Sequence, residues 1–220
     1  MDYRALLTIP LVALALTASG AETLRQPTGW VSFAGWDGLN SPTHEAGVAP
    51  ETENSSQRAL TVKAIGERKA HQIGSIFQGL TGYADRRIRF SAQVKTAGVD
   101  QWAGLVVGSG VIPFSPASEE FEADATAPRG AAGCLEWCEV SVVADISATS
   151  GGMFSVGLAL IGNGQVWARG FKLEIVGPEI PVTTHRFGAE AAVLIKAERE
   201  QIEAHMLYWG TTPPQNLSLQ

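Results

Sequence analysis

The chain predicts an all-β fold, a jelly-roll β-sandwich followed by a C-terminal α-helix. Three observations carry that prediction. Several segments alternate apolar and polar residues with a period of two, the mark of half-buried strands. Clusters of Gly, Pro, Asn and Ser separate these segments, and no helical segment intervenes before Val176. Only Ala189 to Trp209 lacks Gly and Pro and spaces its apolar residues as a helix does. Many short strands joined by turns point to two packed sheets.

Met1 to Ala21 reads as an export signal. Arg4 and the terminal amine give a weakly positive start, and Ala5 to Ala18 is almost wholly apolar. Ser19-Gly20-Ala21 supplies the small residues a signal peptidase needs, so Glu22 is the expected mature start. The apolar run is shorter than the roughly 20 residues of a spanning helix, and no cysteine stands at the cleavage site to carry a lipid. The expected location is periplasmic or secreted, with no membrane span once the signal is removed.

Gly29-Trp30-Val31-Ser32 reads as the opening strand, followed by a long loop to Ser56. From Arg58 to Ile65, Leu60, Val62 and Ala64 lie on one side, Thr61 and Lys63 on the other. His71 to Leu80 is the next strand. Arg87 to Val94 is the clearest: Ile88, Phe90, Ala92 and Val94 face inward, while Arg87, Arg89, Ser91 and Gln93 face solvent. Gly98 turns the chain into Gln101 to Val107. Gly108 to Gly133, with Pro113, Pro116, Pro128 and the acids Glu119, Glu120, Glu122 and Asp124, has the composition of a surface loop. The sheet resumes with Cys138, Val140, Val142, Ala144 and Ile146 on one face. Phe154 to Leu160 follows, then a turn at Gly162-Asn163-Gly164, and Gln165 to Val176 ends the domain.

The domain boundaries follow: a signal over 1–21, a sandwich over 22–177, and a helical extension and tail over 178–220. In the extension Ala191, Ile195, Ile202, Met206 and Trp209 form an apolar stripe, and Gly210 stops the helix.

The formal charge of −6 lacks the basic face that nucleic-acid binding requires. Cys134 and Cys138 are the only cysteines. On one extended strand their Cα atoms would stand about 13 Å apart at ~3.3 Å per residue, beyond the ~7 Å reach of a disulfide. A bridge, which an oxidising compartment permits, therefore requires Gly133 to Trp137 to turn back on itself; otherwise both remain thiols. Two cysteines alone do not make a zinc site.

Catalysis has little support. There is no G-x-S-x-G elbow. His44, His71, His185 and His205 are scattered, without H-E-x-x-H spacing. Glu119, Glu120 and Glu122 form a run in a loop, not the opposed pair a glycosidase needs. No cofactor is expected; a structural calcium ion would suit a jelly roll, but no motif supports one.

Arg86-Arg87-Ile88-Arg89-Phe90-Ser91-Ala92, Val94-Lys95-Thr96, Trp102-Ala103-Gly104-Leu105 and Gly164-Gln165-Val166-Trp167 together resemble a bacterial family of small secreted jelly-roll domains. That family is similar to galactose-binding-like and carbohydrate-binding modules. The resemblance covers roughly Gly29 to Pro181 and the last few residues. It implies a carbohydrate or envelope glycan as ligand. Members often carry an acidic pair after the Trp of the last strand, where this chain has Ala168-Arg169-Gly170, and a "D-N-M"-like middle loop that Ile112 to Arg129 does not match.

Sugar-binding modules commonly offer an indole face to pyranose C–H bonds, with amides, carboxylates or Arg reading the hydroxyls. Trp30, Trp36, Trp102, Trp137, Trp167 and Trp209 are therefore the residues to weigh: Trp30 and Trp102, embedded in strand signatures, are read as core before site, and so is Trp167, which shares parity with Phe171, Leu173 and Ile175 if no bulge intervenes. Trp36 and Asp37 lie in a Gly-rich loop where no strand obliges burial. With Asn163 and Gln165 at the last turn, and Arg169, they are the candidate ligand contacts. Arg169 beside Gly170 marks either a bulge that aims a cation at the site or a solvated arginine. The expected function is an exported non-catalytic carbohydrate-binding module. The alternative is a structural module that meets a protein partner, or a second copy, through its C-terminal helix.

Overall fold

The computed structural model describes residues 24–33, 42–50, 57–66, 72–109, 122–123, 131–148, 152–183, 210–211 and 214–219 of the 220-residue chain. The expected signal, 1–21, and the expected helix, 189–209, with the partner contact proposed for it, lie outside these residues.

In chain order the strands are β1 (Val31–Phe33), β2 (His44–Pro50), β3 (Arg58–Ala64), β4 (Ile73–Leu80), β5 (Arg86–Ala97), β6 (Trp102–Ser109), β7 (Glu122–Ala123), β8 (Cys138–Ile146), β9 (Phe154–Ile161), β10 (Gln165–Val176) and β11 (Gly210–Thr211). A 3-10 turn, Ala131–Gly133, precedes β8. The front sheet has the order β2-β3-β10-β5-β8 and the rear sheet β1-β4-β9-β6-β7, with β11 beside β4. Pairing is antiparallel throughout except between β11 and β4. From β3 to β10, apart from the short β7, consecutive strands alternate between the two sheets. That wrapping makes the sandwich a jelly roll.

The core follows from the alternation. Leu60 and Val62 of β3, Ile88, Phe90, Ala92 and Val94 of β5, and Val140, Val142, Ala144 and Ile146 of β8 face Ile76, Leu80, Leu105, Val107, Phe154, Val156, Leu158 and Leu160 of the rear sheet. Burying each of the larger apolar side chains contributes about 1.5–3 kcal/mol. Trp30 is 2% exposed and packs on Phe171, with ring centres 5.3 Å apart. Phe171 in turn stacks on Phe90 at 5.7 Å. Trp102 is also buried, but on the rear sheet's second face with Ile73, Phe77, Val106, Ala159 and Ile161, so that sheet is buried on both sides.

Several features depart from the expected elements: β7 lies in the stretch 108–133 expected to be loop, β11 stands where Gly210 is expected to end a helix, and two departures are larger. His44–Pro50 falls in the stretch expected to be loop, yet pairs with β3 along its whole length. Its composition hides it: Val48 is its one β-branched residue, and the terminal Pro50 is tolerated because the strand lies at a sheet edge. The second departure is in β10, where the register against β5 shifts between Arg169 and Lys172.

The chain beyond β10 stays on the sandwich. Thr183 pairs with the free edge of β8, its N–H donating to Val143 O and its hydroxyl accepting from Val143 N–H. Near the C-terminus Leu219 is buried in the core, and Gln215 exchanges hydrogen bonds with Gln78.

Candidate functional site

The outward face of the front sheet is divided by the irregularity in β10. Before it, Val166 and Ala168 are buried and oppose Thr96 and Val94; after it, Leu173 opposes Phe90. Both sets face the core, which is possible only because β10 carries one more residue than β5 between Arg169 and Lys172. Gly170 sits there at φ 64. A Cβ on Gly170 would meet nothing within 4 Å, so its need for glycine is conformational, not steric.

The extra residue inverts the expected position of Trp167. Parity counted back from Phe171 sends its indole inward; the bulge turns it outward, where it is half-buried between Thr61 and Lys95 on the neighbouring strands. Gln165, Trp167 and Arg169 therefore share one face at i, i+2 spacing, about 6.6 Å apart per step. Gln165 Nε2 donates to Thr61 Oγ1 at 2.9 Å, and Thr61 Oγ1 donates to Val166 O at 2.9 Å. Arg169 Nε donates to Gln93 Oε1 at 2.9 Å, and its Nη1 to Gln57 Oε1 at 3.0 Å.

A second tryptophan reaches this face from a different part of the chain. Cys134 and Cys138 are joined by a disulfide, their Cα atoms 5.7 Å apart. The segment between them turns back on itself, as a bridge at that spacing requires. The bridged loop stands on β5. Thr96 N–H donates to Cys134 O at 2.7 Å, and Cys138 is the register partner of Val94. Trp137, half-buried at the end of the loop, lies with its ring centre 4.1 Å from the guanidinium carbon of Arg169. Lys95 Nζ stands 3.8 Å from Glu136 of the same loop.

The lower half of the face is occupied by its own charges. Arg87 grips Asp145 with Nε to Oδ1 at 2.7 Å and Nη2 to Oδ2 at 2.8 Å. Its Nη1 donates to the carbonyls of Pro178 and Ile180. The Arg87 hydrogen bond and charge hold the Asp145 carboxyl below the usual carboxylate range, against a smaller opposing effect of burial. Arg89 pairs with Glu174 at 2.9 Å. The upper half, around Trp167, instead presents two indoles with the amides of Gln93 and Gln165, Lys95 and Arg169, while Thr61 is buried beneath Gln165.

The sequence-derived candidates are thus only partly gathered. Gln165 and Arg169 lie on this face together. Asn163 sits in the β9–β10 turn, its N–H donating to Asp100 Oδ1 at 2.8 Å and its Nδ2 to Oδ2 at 2.7 Å. Trp36 and Asp37 lie outside the described residues. Trp137 and Trp167 are among the tryptophans the sequence brings into question but not among the selected ligand contacts. A signal for Trp167 was present: Val166 and Ala168 have the opposite parity to Phe171 and Leu173, with Gly170 between them. Among the described residues no group of three or more His, Cys, Asp or Glu could hold a metal ion, and no helix is long and apolar enough to cross a membrane.

No protein-family model matches the chain. Among curated proteins it is similar to the uncharacterized HTH-type transcriptional regulator YbfP of Bacillus subtilis (strain 168), 26% identical over 157 residues, which is 70% of this chain and 50% of that protein. The chain spans about half the length of that relative. Among solved structures it is similar to the CBM22-1 xylan-binding domain of Paenibacillus barcinonensis Xyn10C, at 12% identity and a TM-score of 0.44, covering 74% of this chain and 92% of that one. It is also similar to the CBM22-1–GH10 modules of Clostridium thermocellum xylanase Xyn10B complexed with xylohexaose, at 14% identity and a TM-score of 0.44, covering 74% of this chain and 30% of that one.

Proposed function

We propose that this chain is an exported, non-catalytic module that binds a carbohydrate, such as an envelope glycan, on the upper half of the front sheet's outer face. The observation that carries the reading is the β-bulge at Gly170, which turns the Trp167 indole outward into a field of amides and cations. An indole half-buried in a sheet is rigid, because packing fixes both of its χ angles. It offers a flat apolar surface to the C–H face of a pyranose. Gln93, Gln165 and Lys95 around it supply the donors and acceptors that read hydroxyls. Trp137, propped by Arg169, adds a second aromatic surface beside the first.

The test is a glycan-array screen of the chain from Glu22 onward, run with Trp167→Ala, Trp137→Ala and Trp36→Ala. Well-packed aromatic contacts cost more than about 1 kcal/mol on truncation, so Trp167→Ala should weaken binding about fivefold or more while the far-UV circular dichroism of the sandwich is unchanged. Absence of binding to every plant, bacterial and host glycan would sink the reading. Binding that is indifferent to both Trp137 and Trp167 would move the site elsewhere, with Trp36 as the next residue to judge.

A further inference from the structure

We infer that the Cys134–Cys138 disulfide is a positioning device for the ligand face: it fixes Trp137 over Arg169, so glycan affinity depends on the redox state of this bond. The inference rests on the reading of the face as glycan-binding, but its structural half can be tested without any glycan.

The geometry assigns the role. The two cysteines are separated by 4 in sequence and 5.7 Å in space, so the bond closes a minimal loop. On the entry side, Thr96 donates its N–H to Cys134 O at 2.7 Å, and its hydroxyl lies 3.2 Å from both Ala131 O and Cys134 O. On the exit side, Cys138 begins β8 opposite Val94. Both feet of the loop therefore stand on β5, the strand that flanks Trp167 and Arg169. Of the three residues carried between them, Leu135 is 68% exposed and Glu136 is exposed. Glu136 reaches back only through its carboxylate, 3.8 Å from Lys95, whereas Trp137 lays its ring against Arg169 on the sheet.

A cation–π contact between half-buried groups biases a side chain only modestly, by about two- to fivefold at the exposed limit. A ring held by that contact alone, on an unbridged loop, would spend a substantial fraction of its time elsewhere. The bridge removes that freedom. Breaking it needs a reductant: a dithiol attacks one sulfur, forms a mixed disulfide and resolves it, leaving Cys134 and Cys138 as thiols and the dithiol as its own disulfide. The β5–β8 pairing is untouched by that exchange.

The experiment compares oxidised protein, dithiothreitol-reduced protein and the Cys134→Ser/Cys138→Ser variant, each with and without Trp137→Ala. Affinity for the array-identified glycan is one readout. The other is the Trp137 indole N–H resonance, assigned by its loss in Trp137→Ala. Reduction and the serine variant should each weaken binding, by no more than Trp137→Ala does, should shift or broaden the Trp137 resonance, and should change nothing further once Trp137 is alanine. An unchanged affinity and an unchanged resonance on reduction would overturn the inference, as would an equal redox effect in the Trp137→Ala background. If the serine variant fails to fold, reduction of the folded wild type decides. If no glycan binds at all, the functional reading falls, and the resonance alone judges whether the bond positions Trp137.

Discussion

Arg169 and Trp137 stand one above the other, the guanidinium carbon 4.1 Å from the indole centre, while Nε and Nη1 of the same arginine donate to Gln93 and Gln57. Stacking and hydrogen bonding use different directions of one planar group, so the arginine braces the ring without giving up its donors. Lysine cannot do both, because its ammonium is a point charge without a plane. Arg169→Lys should therefore weaken glycan binding severalfold, with a loss of about 0.5–1 kcal/mol from the stack, and leave thermal stability almost unchanged. Isothermal titration beside a melting curve separates the two. A lysine variant that binds as wild type would show that charge alone is what the site uses.

Gly170 gives a test of the bulge itself. Its φ of 64 lies in the left-handed region, and a Cβ there would meet nothing within 4 Å. The cost of Gly170→Ala is thus purely conformational, about 1–2 kcal/mol, which lowers Tm by roughly 2–8 °C in a domain of this size. Gly170→Asn should cost less, since asparagine tolerates that region. Equal melting temperatures for glycine, asparagine and alanine would show that the backbone there does not need a left-handed residue.

The contrast between β5 and β10 shows what the sequence made legible. In β5 the period of two runs unbroken from Ile88 to Val94, and each of those inward residues is buried. In β10 the period breaks at Gly170, and a rule that extends one parity through the break places Trp167 on the wrong side. β2 was missed for another reason. Its pairing with β3 supplies what its own residues do not, and such tertiary support leaves no local pattern. Trp137 was beyond reach of periodicity altogether, because its position depends on a covalent bridge and on an arginine more than thirty residues away.

Acid should loosen the sandwich at two places. Arg87 holds the Asp145 carboxyl below its ordinary range. Burial raises Asp100, but hydrogen bonds from the Asn163 side chain and N–H, and from the backbone of Asp100 and Gln101, outweigh it and lower it overall. A carboxylate with a depressed folded-state pKa stabilises the fold above its unfolded pKa of about 3.9. That contribution is lost as pH falls through the folded value. The melting temperature should therefore be flat in these terms from neutral pH to about 5 and decline below about 4. Asp145→Asn and Asp100→Asn should each flatten part of that decline while lowering stability at neutral pH. An undiminished acid slope in both variants would assign the decline to other groups.

Phe171 couples the core to the ligand face. It follows Gly170 directly, is 5% exposed, and packs between Trp30 at 5.3 Å and Phe90 at 5.7 Å. Its side chain thereby anchors the inward half of the bulge whose outward half carries Arg169. Phe90 belongs to the same aromatic cluster but sits on the unbroken strand β5. Alanine at either position should cost about 3–5 kcal/mol of stability. Only Phe171→Ala should also weaken glycan binding at a temperature where both variants are fully folded, because only it frees the bulge to slide. Titrations at 10 °C, checked by circular dichroism, decide the matter. If both variants lose the same affinity, the anchor is the aromatic cluster as a whole and not the residue beside Gly170.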